Sequence, residues 1–352
     1  MYKSIEVFET DFYDKYLIIN NDKSFYGGFL IKDIVELLKT GINYKEITEK
    51  LSLKYNNNFD EEMINNIIVE KINPLLKKDK YRGFKKIFII LNPSKISIPT
   101  FIEKLLINKY FYFYLIISFL INVAFFYELQ KSKIVPSFFE QIIFYLLLFI
   151  VLISHELGHS FSAKLFNVNV REIGFAIYHV FPVFYVNLNE SWKLDKKKRM
   201  IINLSGIYFQ LIIGVVLIIV LHYFYDSIVL ENLYKLNLLI VIYNLNPFIR
   251  FDGYWVLSDI LNENNLNKKS NEILASIFKF KNPKSSIIII IYALLKLIFY
   301  FWIFYYFITF ISDRINHFIM FKGIEVIDII VILIMFFIIN NIFLNKLIKS
   351  KK

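Results

Sequence analysis

Cysteine is absent from all 352 residues. Without thiols the chain can form no disulfide and can offer a metal no thiolate, so any bound ion must be held by His, Asp or Glu. Charge is scarce too: Asp, Glu, Lys and Arg make up 20% of the residues, against 57% hydrophobic and 18% aromatic. That is too apolar for an ordinary soluble domain, and the long uncharged runs point to a multi-pass protein whose partner is the lipid bilayer. The opening stretch MYKSIEVFETDFYDKYLIIN has no apolar core of the kind a signal peptide carries, so no cleavage is expected and the first segment is expected to stay in the cytosol. A recognised nucleic-acid reader motif is also missing. The net charge of +11 has another explanation: basic residues gather in short loops between apolar runs, as the positive-inside bias predicts, and no nucleic-acid partner is expected.

Residues 1–85 differ from the rest. KYLIINNDKSFYGGF reads as short strands about an Asn-Asp turn, and LIKDIVELLKTG as a helix stopped by Gly41. NYKEITEKLSLKY and FDEEMINNIIVEKINPLL follow as amphipathic helices, the second opening with Asp60, Glu61 and Glu62 at its positive end. Strands followed by three helices imply a small α+β unit of winged-helix type. Residues 86–109 then read as a basic linker and interfacial segment, 110–260 as a membrane core, and 261–352 as a loop with two further spans.

Six apolar runs lie near 110–129, 138–165, 200–224, 236–257, 285–311 and 325–345. Lysines and Arg82 crowd 77–109, which places that segment in the cytoplasm. Alternating from there puts the Arg171–Arg199 loop, the Lys268–Lys281 loop and the terminal NKLIKSKK inside as well. The expected fold is therefore mainly α: a polytopic bundle of about six spans in the cell membrane, with both termini cytoplasmic. A short cytoplasmic β segment is expected in REIGFAIYHVFPVFYVNL, whose residues alternate as in a strand or hairpin; its backbone edge would suit an extended peptide. The fourth run is interrupted by Asn237, Asn244, Asn246 and Pro247, and broken polar helices survive in membranes where they line an enclosed cavity.

One segment of the second run stands out. LLLFIVLISHELGHSFSAKLF places three ionisable groups where such groups are costly. His155 and His159 are four apart, so both imidazoles project from one helical face, one turn apart, and can supply two ligands to zinc. Glu156 lies beside that face, where it can take a proton from water at the metal. A catalytic zinc needs a third protein ligand, and few candidates exist within the apolar runs. Asp252 follows the break at Asn246-Pro247. Counting inward from 138, His155 comes after about 17 residues, or roughly 26 Å; from 236, Asp252 comes after about 16, or roughly 24 Å if helical. Both reach similar depth near the cytoplasmic edge. Asp259 is a competitor, two turns further on, where capping or facing the aqueous boundary is the plainer role. His179 is read as a surface histidine, and His222 and His317 fall near the outer ends.

HELGH joined to NLNPFIRFDG resembles the site-2 protease family of intramembrane zinc metalloproteases, whose second motif is matched by Asn244, Pro247, Asp252 and Gly253. The resemblance implies Zn2+ held by His155, His159 and Asp252, with Glu156 as general base and Asn244 binding substrate. FPVFYVNLNESWKLDKKKRMIINLSG resembles the peptide zinc metalloprotease branch, which implies maturation or export of a ribosomally made peptide such as a bacteriocin. The N-terminal unit resembles PqqD-like domains, which implies recognition of a leader peptide. In one respect the chain departs from the family: Gly206 is followed four residues later by Gln210, where Asn or a small residue is usual. That amide can reach the site or serve packing between helices. A rival reading, a non-hydrolytic membrane protein for peptide immunity or export, keeps the fold and metal but has no use for Glu156. A transporter would spread ionisable residues over several depths.

Overall fold

A computed structural model describes residues 2–10, 15–20, 23–76, 84–106, 109–128, 136–178, 181–223, 227–263, 265–283 and 285–319. The chain forms two compact units, Met1–Asn264 and Asn265–Lys352.

The first unit opens with an antiparallel meander of β1 (Glu6–Glu9), β2 (Tyr16–Asn20) and β3 (Lys23–Gly27), with β2 in the centre. Four helical segments follow: α1 (Phe29–Thr40), α2 (Tyr44–Tyr55), α3 (Glu61–Ile67) and, after a π-helical turn at Ile68–Ile72, α4 (Asn73–Leu76). Gly41 ends α1 in the left-handed region at φ 82°, a conformation that costs a residue without Cβ little. Asn43 and Asp60 cap α2 and α3 through their side chains. Ile18, Ile34, Ile47, Leu51, Ile64, Ile68 and Ile72 close the core of this layer. Strands then helices agree with the sequence pattern; the Asn-Asp turn expected between β2 and β3 lies outside the described residues.

Part of the presumed linker is a strand. β4 (Phe84–Leu91) pairs antiparallel with β5 (Ile173–Tyr178), which pairs in turn with β6 (Phe181–Val186), giving the order β4-β5-β6. The expected hairpin is therefore two strands of a three-stranded sheet. Lys85 and Lys86 disguise β4 as a basic connector, and its partner lies more than 80 residues away. Phe88 stacks on Phe175 at 5.4 Å, and Phe175 meets Phe184 edge-on at 5.5 Å.

Helices α5 (Thr100–Leu106) and α6 (Phe111–Glu128) meet at a 93° bend, and α7 (Phe138–Leu165) and α8 (Lys196–Tyr223) follow. Ser137 and Glu140 form a capping box that starts α7 where the apolar run begins. α8 is the central helix of the bundle: 56% of its apolar window is buried, against 11% for α7, and it packs on α6, α7, α9 (Ile228–Asn244) and α10 (Asp252–Ile260). Close approach to α7 depends on Gly158, where a Cβ would stand 2.5 Å from the Ser205 carbonyl oxygen.

The fourth apolar run is two helices. α9 starts at Ile228, eight residues before the expected entry, because Ser227 caps it; Glu231 and Lys235 pair on its early turns and masked that start in the hydropathy pattern. The chain leaves helical geometry after Asn244 and resumes it at Asp252. Pro247 sits in this break, where its missing N–H costs no helical bond.

The second unit contains α11 (Leu266–Phe278) and α12 (Ile287–Ile319). Lys296 on α12 is 2% exposed, and its ammonium is held by the side chains of Asn267, Ser270 and Asn271. Among the described residues three helices, α7, α8 and α12, are long and apolar enough to cross a membrane, or four if the bent α5–α6 pair counts as one span. The run at 325–345 lies outside the described residues.

α8 and α10 are joined by a buried ion pair. Arg199 Nε and Nη2 donate to Asp259 Oδ1 at 2.8 and 2.6 Å, and Nη1 donates to the Leu194 carbonyl at 2.6 Å. Removing one member strands the other charge, which costs about 3–5 kcal/mol in a buried pair. Arg199→Met should lower the thermal unfolding temperature in detergent, and adding Asp259→Leu should recover most of the loss. Equal unfolding temperatures for the single and double variants would contradict this role.

Candidate metal centre and its cleft

α7 carries His155 and His159 on the face that meets α8, with ring centroids 4.6 Å apart. Each ring is held from its far side. Nδ1 of His155 is 2.9 Å from Gln210 Oε1, and Nδ1 of His159 is 2.7 Å from the carbonyl oxygen of Ile202. Oxygen atoms of this kind accept, so in each neutral ring Nδ1 carries the proton and Nε2 presents a bare lone pair.

Both lone pairs point at the same place. The two Nε2 atoms are 3.0 Å apart, and Asp252 Oδ2 lies 3.2 Å from one and 3.4 Å from the other. Such distances suit ion pairs when a ring is doubly protonated, whereas two neutral rings that keep their protons on Nδ1 have none to share. Among the described residues Asp252 Oδ2 is a buried acceptor with no hydrogen-bond partner. Three acceptors in mutual contact repel unless a cation lies between them. Ligands 2.0–2.1 Å from a tetrahedral zinc stand about 3.3–3.4 Å from one another, close to the spacings here. His155, His159 and Asp252 can therefore hold a metal ion with small adjustment, and two imidazoles with a carboxylate suit zinc.

The surrounding backbone makes room for this cluster. A Cβ at Gly206 would lie 2.4 Å from His159 Nε2 and 2.8 Å from His155 Cε1, so α8 must present a glycine to the imidazoles. A Cβ at Gly253 would lie 2.2 Å from the Leu245 carbonyl oxygen, so the turn that delivers Asp252 closes only over a glycine. Inside that turn Asn246 Oδ1 accepts from the Phe248 N–H at 2.8 Å.

The acceptors open on a cavity of about 780 Å³. Glu156 lines it and, among the described residues, its carboxylate has no hydrogen-bond partner. Asn244, the last residue of α9, lines it too, as do Arg250 and the strand β6. Trp192 and Trp255 form part of the wall with rings edge to face at 5.4 Å, and Tyr26 of β3 meets Trp192 at 6.3 Å. Asp259 does not join the histidines; it is 5% exposed and bound to Arg199, not placed at the aqueous boundary. His222 packs on Tyr223, and His179 and the side chain of His317 lie outside the described residues. Gln210 and the Ile202 carbonyl are the contacts that motif reading leaves undefined. Gln210 had one signal, its place one turn beyond Gly206; a backbone carbonyl has none.

Residues 143–235 match Peptidase family M50, a stretch that includes His155, Glu156 and His159 and ends before Asn244 and Asp252. The chain is 30% identical over 155 residues to a Bacillus subtilis protein named "Putative peptide zinc metalloprotease protein YydH", a match covering 42% of this chain and 62% of that protein. It is 32% identical over 165 residues to zinc metalloprotease MJ0392 of Methanocaldococcus jannaschii, covering 46% of this chain and 45% of that protein. The matches thus span less than two thirds of either relative. No solved structure matches.

Elemental analysis of purified protein should find about one zinc per chain. His159→Ala, Asp252→Ala and Gly206→Ala should each lose most of it, the last by driving a methyl group into the imidazoles. Full zinc in Asp252→Ala would remove that carboxylate from the ligand set.

Proposed function

We propose that this chain is an intramembrane zinc metallopeptidase of the site-2 protease type, with His155, His159 and Asp252 as metal ligands and Glu156 as general base. One observation carries the reading: the Glu156 carboxylate lines the same cleft onto which His155, His159 and Asp252 converge. Zinc, when bound, would polarise the scissile carbonyl and make a water acidic enough to attack it. Glu156 takes the proton of the attacking water and delivers it to the leaving amine. Asn244, at the rim of the same cavity, offers an amide N–H to the substrate carbonyl.

The cleft suits an extended peptide. Among the described residues β6 pairs with β5 alone, and Val183, Phe184 and Tyr185 line the cavity, so its outer edge can bond a substrate strand while alternate side chains meet the wall. A helical substrate would keep its carbonyls engaged and must unwind locally. The name of the Bacillus relative supports a peptide as substrate, and we assign the chain to maturation or export of a ribosomally made peptide at the cytoplasmic face of the cell membrane. In this reading residues 1–85 form a cytosolic domain that receives a leader peptide, 110–260 the catalytic core, and both termini are cytoplasmic. The contact of Tyr26 with Trp192 gives that domain a place at the cleft wall.

The test uses full-length, zinc-loaded protein in detergent and fluorescently labelled casein, an unfolded polypeptide. Glu156→Gln should keep its zinc and lose cleavage by at least about 10²-fold, the lower end for a general base. Undiminished cleavage in that variant would refute the assignment. Wild-type protein that binds zinc and cleaves neither casein nor a co-encoded peptide would favour the non-hydrolytic alternative.

A further inference from the structure

We propose that Gln210 is a positioning residue for the metal centre: its side-chain oxygen fixes His155 in the one tautomer and ring orientation that aims Nε2 at the ion. The inference rests on the metal-site part of the reading above and is independent of what the cleft cuts.

His159 and His155 are held by different kinds of acceptor. The Ile202 carbonyl, 2.7 Å from His159 Nδ1, can only accept, so that ring has its proton fixed by the backbone. His155 faces a side-chain amide at 2.9 Å, and an amide has two ends. With Oε1 toward the ring, His155 keeps its proton on Nδ1 and Nε2 is a ligand. With the amide reversed, an N–H would donate to Nδ1, the ring's proton would move to Nε2, and that proton would point at Asp252 Oδ2. The sense of one amide therefore decides whether two of the three acceptors attract a cation or hydrogen-bond to each other.

The helix bundle holds the backbone of this residue in place. Gln210 is fully buried on α8, one turn beyond the glycine that admits the imidazoles. Asn237 of α9, 1% exposed, donates through Nδ2 to the Gln210 carbonyl oxygen at 2.9 Å, which fixes the backbone of residue 210. Among the described residues Gln210 Nε2 and Asn237 Oδ1 are a buried donor and a buried acceptor, neither with a hydrogen-bond partner. Partners that hold the far nitrogen of a metal-bound histidine typically matter 10–100-fold in metal affinity.

Competition for Zn2+ against a fluorescent chelator, with the full-length chain in detergent, reads this directly. Gln210→Met keeps the length and loses the acceptor; we expect Zn2+ binding weaker by 10–100-fold. Gln210→Glu restores an oxygen that can only accept, and it should bind Zn2+ within about threefold of wild type or more tightly. Unfolding temperatures of the metal-free proteins are followed in parallel, and metal-free Gln210→Met should melt close to wild type. If the Met variant does not fold, Gln210→Asn, whose amide falls one methylene short, serves in its place. Wild-type Zn2+ affinity in the Met or Asn variant would overturn the proposal. So would equal losses in the Met and Glu variants, the pattern expected of a residue that only fills space. If the wild type binds no Zn2+ at all, the metal-site reading itself fails, a result distinct from either.

Discussion

Three bare acceptor atoms, two imidazole nitrogens and a carboxylate oxygen, are pressed to within 3.0–3.4 Å of one another inside a lipid-facing bundle. Unpaired acceptors at that depth are costly, so the packing must be stabilised elsewhere. The stabilisation is structural: Gly206 and Gly158 let α7 and α8 close, the Ile202 carbonyl and Gln210 take the ring protons, and the break at Pro247 delivers Asp252 from a separate helix. A divalent cation turns the whole arrangement from repulsive to attractive.

α8 is what makes this possible. It supplies both acceptors that orient the histidines, the glycine they pack on, and Arg199, whose pairing with Asp259 ties down α10 two turns after Asp252. The aromatic contacts extend that scaffold outward. Arg199 lies 5.4 Å from the Trp192 ring, Trp192 touches Trp255 of α10, and Tyr26 of the N-terminal sheet rests against Trp192. The small N-terminal unit thus meets the wall of the cleft onto which His155, His159 and Asp252 converge.

Legibility in the sequence followed interaction range. HELGH could be read because a helix converts a spacing of four into a shared face. The apolar run near 138–165 coincides with α7, which Ser137 and Glu140 cap. Asp252 was reachable by depth counting, although the count assumed one helix from 236 where the chain forms α9 from Ile228 and then a break. β4 was missed because strand pairing with residues 173–178 leaves no local trace beyond alternation, and its lysines imitate a linker. Asp259 was misplaced because its partner, Arg199, sits 60 residues away and no pattern in either stretch names the other.

X-ray absorption at the zinc K-edge of the purified, full-length protein tests the central claim most directly. The account predicts a four-coordinate ion with two imidazole shells and oxygen ligands at about 2.0–2.1 Å. A six-coordinate, all-oxygen spectrum without imidazole scattering would contradict it.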